Sequence, residues 1–513
     1  MSSVKKSELD RQLPKIEKTL SKIIDKKIIT FDDRNLRLSR KQLDLLSEII
    51  TGFGEDLHCN MGIWKAYENC NIRFFSQLLP FHLPYMRTVS NEKFNKYRCR
   101  HLIWKLYEQF MPEYFIDPYH EDIEALGDII SSALPELFNN LPRQSVHAEI
   151  FLTPNIEAAD VKRKLIWLGL RSYMFKLAYH TYLVENNVKP EIPVIDDFVC
   201  QENTLWSGLG VIDILSEMLP VPKSQKEELS SWYERHFAYY KIKTIKKENI
   251  IATNIINNLD YDIMTYETSD LFKTDEIYFG GLVKWREKWA WSGAQYACGK
   301  MEKHKEPEFI KLFKSQSAKV IYRYDKNYLQ KATESLAEMY KDFVAYFKSD
   351  LVVFPDGLTM AAELQKKDRF IYENSMTPKE LEEFKKEHSL NGNFPAYQYP
   401  EHILQHEEGI GVYFNPAEGI EISLGFNHII SGLKKEGKEL NDDEVESLFR
   451  FMESDALSIA FANRIIQDYG GKISFVETFC LDISDIDTSF NYILRKYKGN
   501  FFRNRYPDLT LKD

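Results

Sequence analysis

Between residues 237 and 297 the chain loses helical periodicity, and no other feature limits its fold as much. YYKIKTIKKENIIATNIINNLDYDIMTYE and DEIYFGGLVKWREKWAWSGAQYA are rich in β-branched and aromatic residues, which suit a pleated, half-buried surface. Four or five strands are expected there, with Gly280-Gly281 as a turn or bulge. The flanking sequence reads mostly as helix. The fold class is therefore α+β, helix-dominant and multi-domain. It divides into a helical N-terminal half (1–235), a small Trp-rich central antiparallel sheet (236–300) and a C-terminal α+β domain (301–513).

Helix signals are local and frequent. Ser39 followed by Gln42 forms a capping box for a helix carrying Leu43, Leu46 and Ile49, with a stop expected near Gly52 and Gly54. Ser90 is expected to cap the next helix, whose apolar stripe reads Phe94, Tyr97, His101, Trp104, Leu106 and Phe110. Asp117-Pro118 is placed to open another. One long helix is expected over about 158–186, followed by a break at Pro190 and Pro193. Farther on, a helix is expected near 325–347, then the strand LVVF and a turn at Pro355-Asp356-Gly357. Thr377-Pro378-Lys379-Glu380 starts a helix, and 409–426 reads as a hairpin turned at 415–419. Helices near 441–453, 455–469 and 485–497 and a strand KISFVETFC complete the chain.

Sixty-seven Lys and Arg against 77 Asp and Glu give a net charge of −10, so the overall field does not steer the chain to nucleic acid. Six scattered cysteines with no C-x-x-C pair give neither a zinc knuckle nor a disulfide framework; buried thiols in a reducing cytoplasm are expected. The N-terminus has no apolar run of secretory type. The most membrane-like stretch, Leu165 to Val184, carries Arg171, Lys176 and His180, which would be costly within a bilayer. A soluble, cytoplasmic protein with no membrane contact is the expectation.

Four constellations are candidates for chemistry. His402 and His406 are spaced i, i+4, and imidazole suits a divalent transition metal, with Glu401 and His428 as further ligands. The flanking glutamates do not occupy the general-base position of H-E-x-x-H, and a solvated turn is the plainer reading. In FIDPYHEDIEALGD, His120, Glu124 and Asp128 share a helical face, though first-turn carboxylates also stabilise the helix dipole. Lys284 to Ser292, read as one strand, places Trp285, Glu287, Trp289 and Trp291 on one face and Arg286 and Lys288 on the other. Such a strip is either a stacking surface or a buried aromatic face. The C-terminal LRKYKGNFFRNRYP sets Arg495, Lys498, Arg503 and Arg505 among aromatics, a composition that suits single-stranded nucleic acid. Asp196-Asp197 with Glu202 is a weaker carboxylate set, more simply read as helix capping. Walker, nucleophile-elbow, kinase and zinc-deaminase signatures are missing.

Three functions compete. The first is a cytoplasmic binding protein with an unidentified protein partner, contacted through the Trp285–Trp291 strip and the 494–506 segment. The second is a metal-dependent hydrolase built on His402 and His406. The third is nucleic-acid binding through the basic-aromatic segment.

Overall fold

The computed structural model describes residues 6–82, 93–112, 116–266, 268–302, 304–316, 326–387, 399–469 and 486–503. The chain forms two compact units, Met1–Ile321 with Phe479–Gly499 and Tyr322–Thr478 with Asn500–Asp513.

Helices dominate the first 230 residues. Helix α1 (Glu8–Ile28) starts at a capping box of Ser7 and Asp10, and α2 (Arg40–Cys59) at the Ser39–Gln42 box. Helix α2 runs through Gly52 and Gly54, where a stop was expected. Its glycines are sites of close packing: a Cβ on Gly54 would lie 2.5 Å from the Phe138 ring. Helix α3 spans Ile63–Phe75 and α4 Lys96–Phe110. Asn95 caps α4, and the expected cap, Ser90, lies outside the described residues. Helix α5 (Glu121–Phe138) starts three residues beyond Pro118, capped by His120.

After α6 (Val146–Leu152), the single helix expected over 158–186 is two, α7 (Ala158–Arg171) and α8 (Lys176–Glu185). Ser172 makes the break: its backbone is extended and its hydroxyl donates to Leu168 O at 2.5 Å. Among the described residues no helix is long and apolar enough to cross a membrane. Helices α9 (Ile192–Gln201), α10 (Val211–Met218) and α11 (Lys223–Ser230) complete the layer.

The central β segment closes into a barrel of five strands: β1 (Ala238–Ile245), β2 (Asn249–Asn254), β3 (Asp260–Met264), β4 (Ile277–Trp285) and β5 (Lys288–Gly299). Their order is β1-β2-β3-β5-β4, with β4 returning beside β1 in Greek-key fashion. Strands β3 and β5 pair in parallel, one departure from the antiparallel sheet expected. The register shifts at Gly280/Gly281, so the expected bulge is present. Alternate residues Ala238, Tyr240, Ile242, Ile250, Ala252, Tyr261 and Ile263 fill the interior. Helix α12 (Glu306–Gln316) follows.

The second unit is α+β. Helix α13 (Lys326–Phe347) precedes β6 (Leu351–Phe354), and Asp356 caps α14 (Gly357–Ser375), a helix the sequence did not announce. Helix α15 (Pro378–Glu387) begins at Thr377 and Glu380 as expected, and α16 (Glu401–Leu404) is one short turn. The hairpin β7 (Ile410–Asn415) and β8 (Gly419–Leu424) joins β6 in an antiparallel sheet ordered β6-β7-β8. Helices α17 (Phe426–Gly432), α18 (Asp442–Glu453) and α19 (Ile459–Tyr469) follow. The strand expected over 472–480 lies outside the described residues. Helix α20 (Ile486–Tyr497) returns to the first unit, where Tyr492 joins the helical core.

The start of α3 depends on a buried carboxylate. Gly62 N–H and Ile63 N–H donate to Asp56 Oδ1 at 2.9 and 3.1 Å, and Trp64 N–H donates to Oδ2 at 2.8 Å. The Tyr173 hydroxyl adds a fourth bond at 2.9 Å, so one side chain of α2 caps α3 and anchors the segment between α7 and α8. Removing it leaves four donors without their acceptor, three of them buried away from solvent. Asp56→Ala is expected to lower the unfolding free energy by about 3 kcal/mol, measured by urea denaturation. An unchanged midpoint would show that α3 starts without it.

Candidate functional site

The residues singled out in the sequence are dispersed. Helix α16 ends at Leu404, so the i, i+4 relation of His402 and His406 is not carried by a continuous helix. His402 is exposed. His406 Nε2 accepts from Gly425 N–H at 2.7 Å, and its carbonyl accepts from Gly357 N–H at 2.9 Å, tying β8 and α14 together. Glu401 is held by Gln405 at 2.7 Å, and His428 lies 3.7 Å from Glu408. Among the described residues no three His, Cys, Asp or Glu side chains are grouped so as to hold a metal ion.

Lys284–Ser292 is a hairpin and not one strand. Arg286 and Glu287 both have positive φ, 50° and 64°, and form its two-residue turn. Neither is Asn or Gly; Glu228 of α11 supports the turn by accepting both their N–H groups, at 2.8 and 3.2 Å. The three tryptophans consequently part. Trp289 and Trp291 pack against the barrel core, beside Tyr261 (4.9 Å) and Tyr240 (5.7 Å). Trp285 faces the other way into the helical core, 6.1 Å from Trp232, and donates to Asn155 O. Glu287, placed on the aromatic face by the strand reading, is exposed and paired with Lys284 at 2.7 Å.

The basic C-terminal segment is folded in. Lys498 is fully buried, and the Arg495 guanidinium lies 3.5 Å from the centre of the Phe74 ring. Arg503 is half-buried, and Arg505 lies outside the described residues. In the acidic α5 face, Arg100 takes Asp128 through two bonds of 2.7 Å and Glu124 through one of 2.5 Å. That face joins α4 to α5.

Two buried polar groupings stand out instead. The first runs through α3, α4 and the loop before α10. His82 Nε2 lies 2.6 Å from Pro118 O and must donate to it. Neutral His82 then accepts at Nδ1 from His101 Nδ1–H at 3.1 Å, leaving His101 Nε2 to accept the Tyr67 hydroxyl proton at 2.8 Å. Ser207 Oγ lies 3.3 Å from that hydroxyl and donates to Asn71 Oδ1 at 3.0 Å, while Asn71 Nδ2 donates to Leu78 O. Burial lowers His82 to about 4 and His101 well below the usual imidazole value, so both rings stay neutral. Ser207 and Gly208 turn with φ of 53° and 67°; a Cβ on Gly208 would strike Arg495 O at 1.6 Å. The grouping fixes a proton order through the core. In the sequence His101 falls on an apolar stripe, and only the folded chain brings His82, 19 residues away, against it.

The second joins helices to barrel. Asp196 of α9 receives Lys162 of α7 at Oδ1, Arg235 at Oδ2 (2.6 Å) and the Ser292 hydroxyl of β5 (2.9 Å). Arg235 also holds Asp197, and Lys162 lies 3.2 Å from Cys200 Sγ. Asp196 and Asp197 thus sit inside α9, not at a cap. Burial alone would raise the Asp196 carboxyl; Lys162 and Arg235 more than offset it, and the group is held below the ordinary carboxylate range. Two carboxylates and two cations balance, so the node is electrically closed and offers no free base.

Asp196→Ala leaves Lys162 and Arg235 buried without their shared partner and is expected to cost about 3–5 kcal/mol in urea denaturation. A loss below 1 kcal/mol would mean that the barrel is held otherwise. The histidine pair predicts an acid response. An unfolded histidine titrates near 6.5 and native His82 near 4, so its contribution is full above pH 6.5 and declines as pH falls toward 4, by about 3 kcal/mol. His82→Gln should reduce the stability loss between pH 7 and 4.5; His101 and His236, shifted the same way, keep a residual slope. An identical slope in wild type and variant would remove His82 from the response.

Residues 39–192 match the model of a family described as "Protein of unknown function (DUF3843)". No curated protein matches the chain, and no solved structure does. The matched stretch runs from the cap of α2 to the first residue of α9. It contains Asp56, Tyr67, His82, His101 and Lys162, and leaves Asp196, Ser207 and the barrel outside.

Proposed function

We propose that the protein acts by binding, as a helical platform that presents the outer face of β1, β2 and β3 to a protein partner in the cytoplasm. The observation that carries this is the Asp196 node, which fixes the barrel to α7 and α9 in one orientation. Aromatic rings fill the barrel interior, so a ligand would meet its outside. Val283, Trp285 and Ala290 are spent on the helical core, and Tyr239 and Phe279 pack with Phe309 of α12.

The remaining face carries Lys241, Lys243, Thr253, Asp260 and Asp262 with Ile251 and Met264 between them. Small Greek-key barrels include binders of oligonucleotides and oligosaccharides on the corresponding strands. Here the carboxylates Asp260 and Asp262 oppose a phosphate backbone, and the mixture of charges with apolar residues fits a protein surface better. The inward placement of Lys498 and the stacking of Arg495 on Phe74 weigh against nucleic-acid contact through the C-terminal segment. The five described cysteines, all unpaired, accord with a reducing compartment.

The test compares wild type with Asp260→Lys/Asp262→Lys in crosslinking mass spectrometry from source-cell lysate. A partner crosslinked through Lys241 or Lys243 by wild type and lost from the variant is the expected result. Equal capture by both would exclude this face. Stoichiometric Zn, Fe, Mn or Ni in wild type that is absent from His402→Ala/His406→Ala would overturn the reading in favour of a metal-dependent hydrolase.

A further inference from the structure

Helix α20 closes over α3 and α4 by an ion cluster with unequal charges. Lys496 Nζ donates to Glu108 Oε1 at 2.5 Å, and Lys105 Nζ donates to Glu108 Oε2 at 2.5 Å and to the Tyr492 hydroxyl at 3.0 Å. One carboxylate therefore serves two buried ammonium groups. The rest of the contact is aromatic and close: Tyr492 lies 5.6 Å from Phe75, 4.7 Å from Phe81 and 6.1 Å from Trp104. Asn491 donates to Phe74 O at 3.2 Å.

We propose that α20 is a proton-coupled clasp on the helical unit, held more tightly as pH rises from 7 to 9, because docking buries the Lys105 ammonium and brings Lys496 to the Glu108 carboxylate that both must share. The groups facing Lys105 are Glu108 and His101 on its own helix, Lys496 and Tyr492 on α20, and the Trp104 ring at 4.9 Å; Tyr67 of α3 and Tyr497 lie at the margins of the cluster. Burial holds Tyr492 and Tyr67 above their ordinary values and His101 below its own, so none of these three changes charge between pH 7 and 9. Lys105 does: burial first, then Lys496, lower it to about 8 against the pull of Glu108.

With α20 released, Lys105 is exposed beside Glu108 and titrates near the ordinary lysine value of 10.5. The docked state thus binds fewer protons than the released state above about pH 7. Linkage then makes docking about tenfold tighter at pH 9 than at pH 7. Below pH 7 Lys105 is protonated in both states, and the dependence fades.

Amide hydrogen exchange tests this on the full chain, as protection factors for Tyr492 to Lys498 compared with those of α4. The expected result is lower protection in α20 than in α4, rising about tenfold from pH 7 to 9. Lys105→Met and Lys105→Arg, neutral and permanently charged respectively, should each abolish the rise, and Lys496→Met should reduce it. Should Lys105→Met fail to fold, Lys105→Arg answers the same question with the charge retained. The proposal is overturned by equal opening of α20 and α4, by a flat wild-type response, or by the same rise in both Lys105 variants.

Discussion

A carboxylate removed from water must be met by charge, and Asp196 is met from three directions. Lys162 comes from α7, Arg235 from the segment entering β1, and Ser292 from β5. The orientation of the barrel on the helical layer follows from that convergence, since truncating Asp196, Lys162 or Arg235 leaves the buried charges unbalanced. Apolar contacts through Trp285, Val283 and Ala290 supply area beside the node but little direction. The outer face left to the barrel is a consequence: α7, α9 and α11 cover the β4–β5 side, α12 packs on Tyr239 and Phe279, and the rest of β1 to β3 remains.

The helical layer repeats the device with different chemistry along α4. Arg98 pairs with Glu68, Arg100 with Asp128 and Glu124, and Glu108 with Lys496 of α20, while His101 stays neutral in a fixed hydrogen-bond order. One helix therefore meets α3, α5 and α20 through a separate polar contact each. Such contacts add less net stability than apolar packing of equal volume, but they admit few alternative arrangements. The exception is Glu108, shared between two cations, where the charge balance is open and proton uptake stays coupled to the position of a helix.

How far the sequence disclosed this depended on whether the determinant was local. Thr377 and Glu380 cap α15 because both partners lie within one turn. The hairpin of β7 and β8 was legible from its alternation and from Asn415 to Gly419. The five-stranded segment was legible from composition. The turn at Arg286-Glu287 was not, because what stabilises it is Glu228, 58 residues away. The break at Ser172 was hidden for a similar reason: Tyr173 is drawn out of the helical line to Asp56, 117 residues distant. His402 and His406 had the spacing of a ligand pair, but α16 ends too early to hold them on one face, and His406 is taken by Gly425.

The amino-acid sequence by itself determined the fold class, the β-rich stretch between the helical regions, and those helix starts with a local capping box, such as Ser39–Gln42 and Thr377–Glu380, because periodicity and capping act within a few residues. Only the tertiary structure decided which polar residues meet. His82 and His101, Asp196 and Arg235, and Glu108 and Lys496 carry no common spacing. Each pair is selected by the packing of whole elements, and its electrostatics come into being only when that packing excludes water.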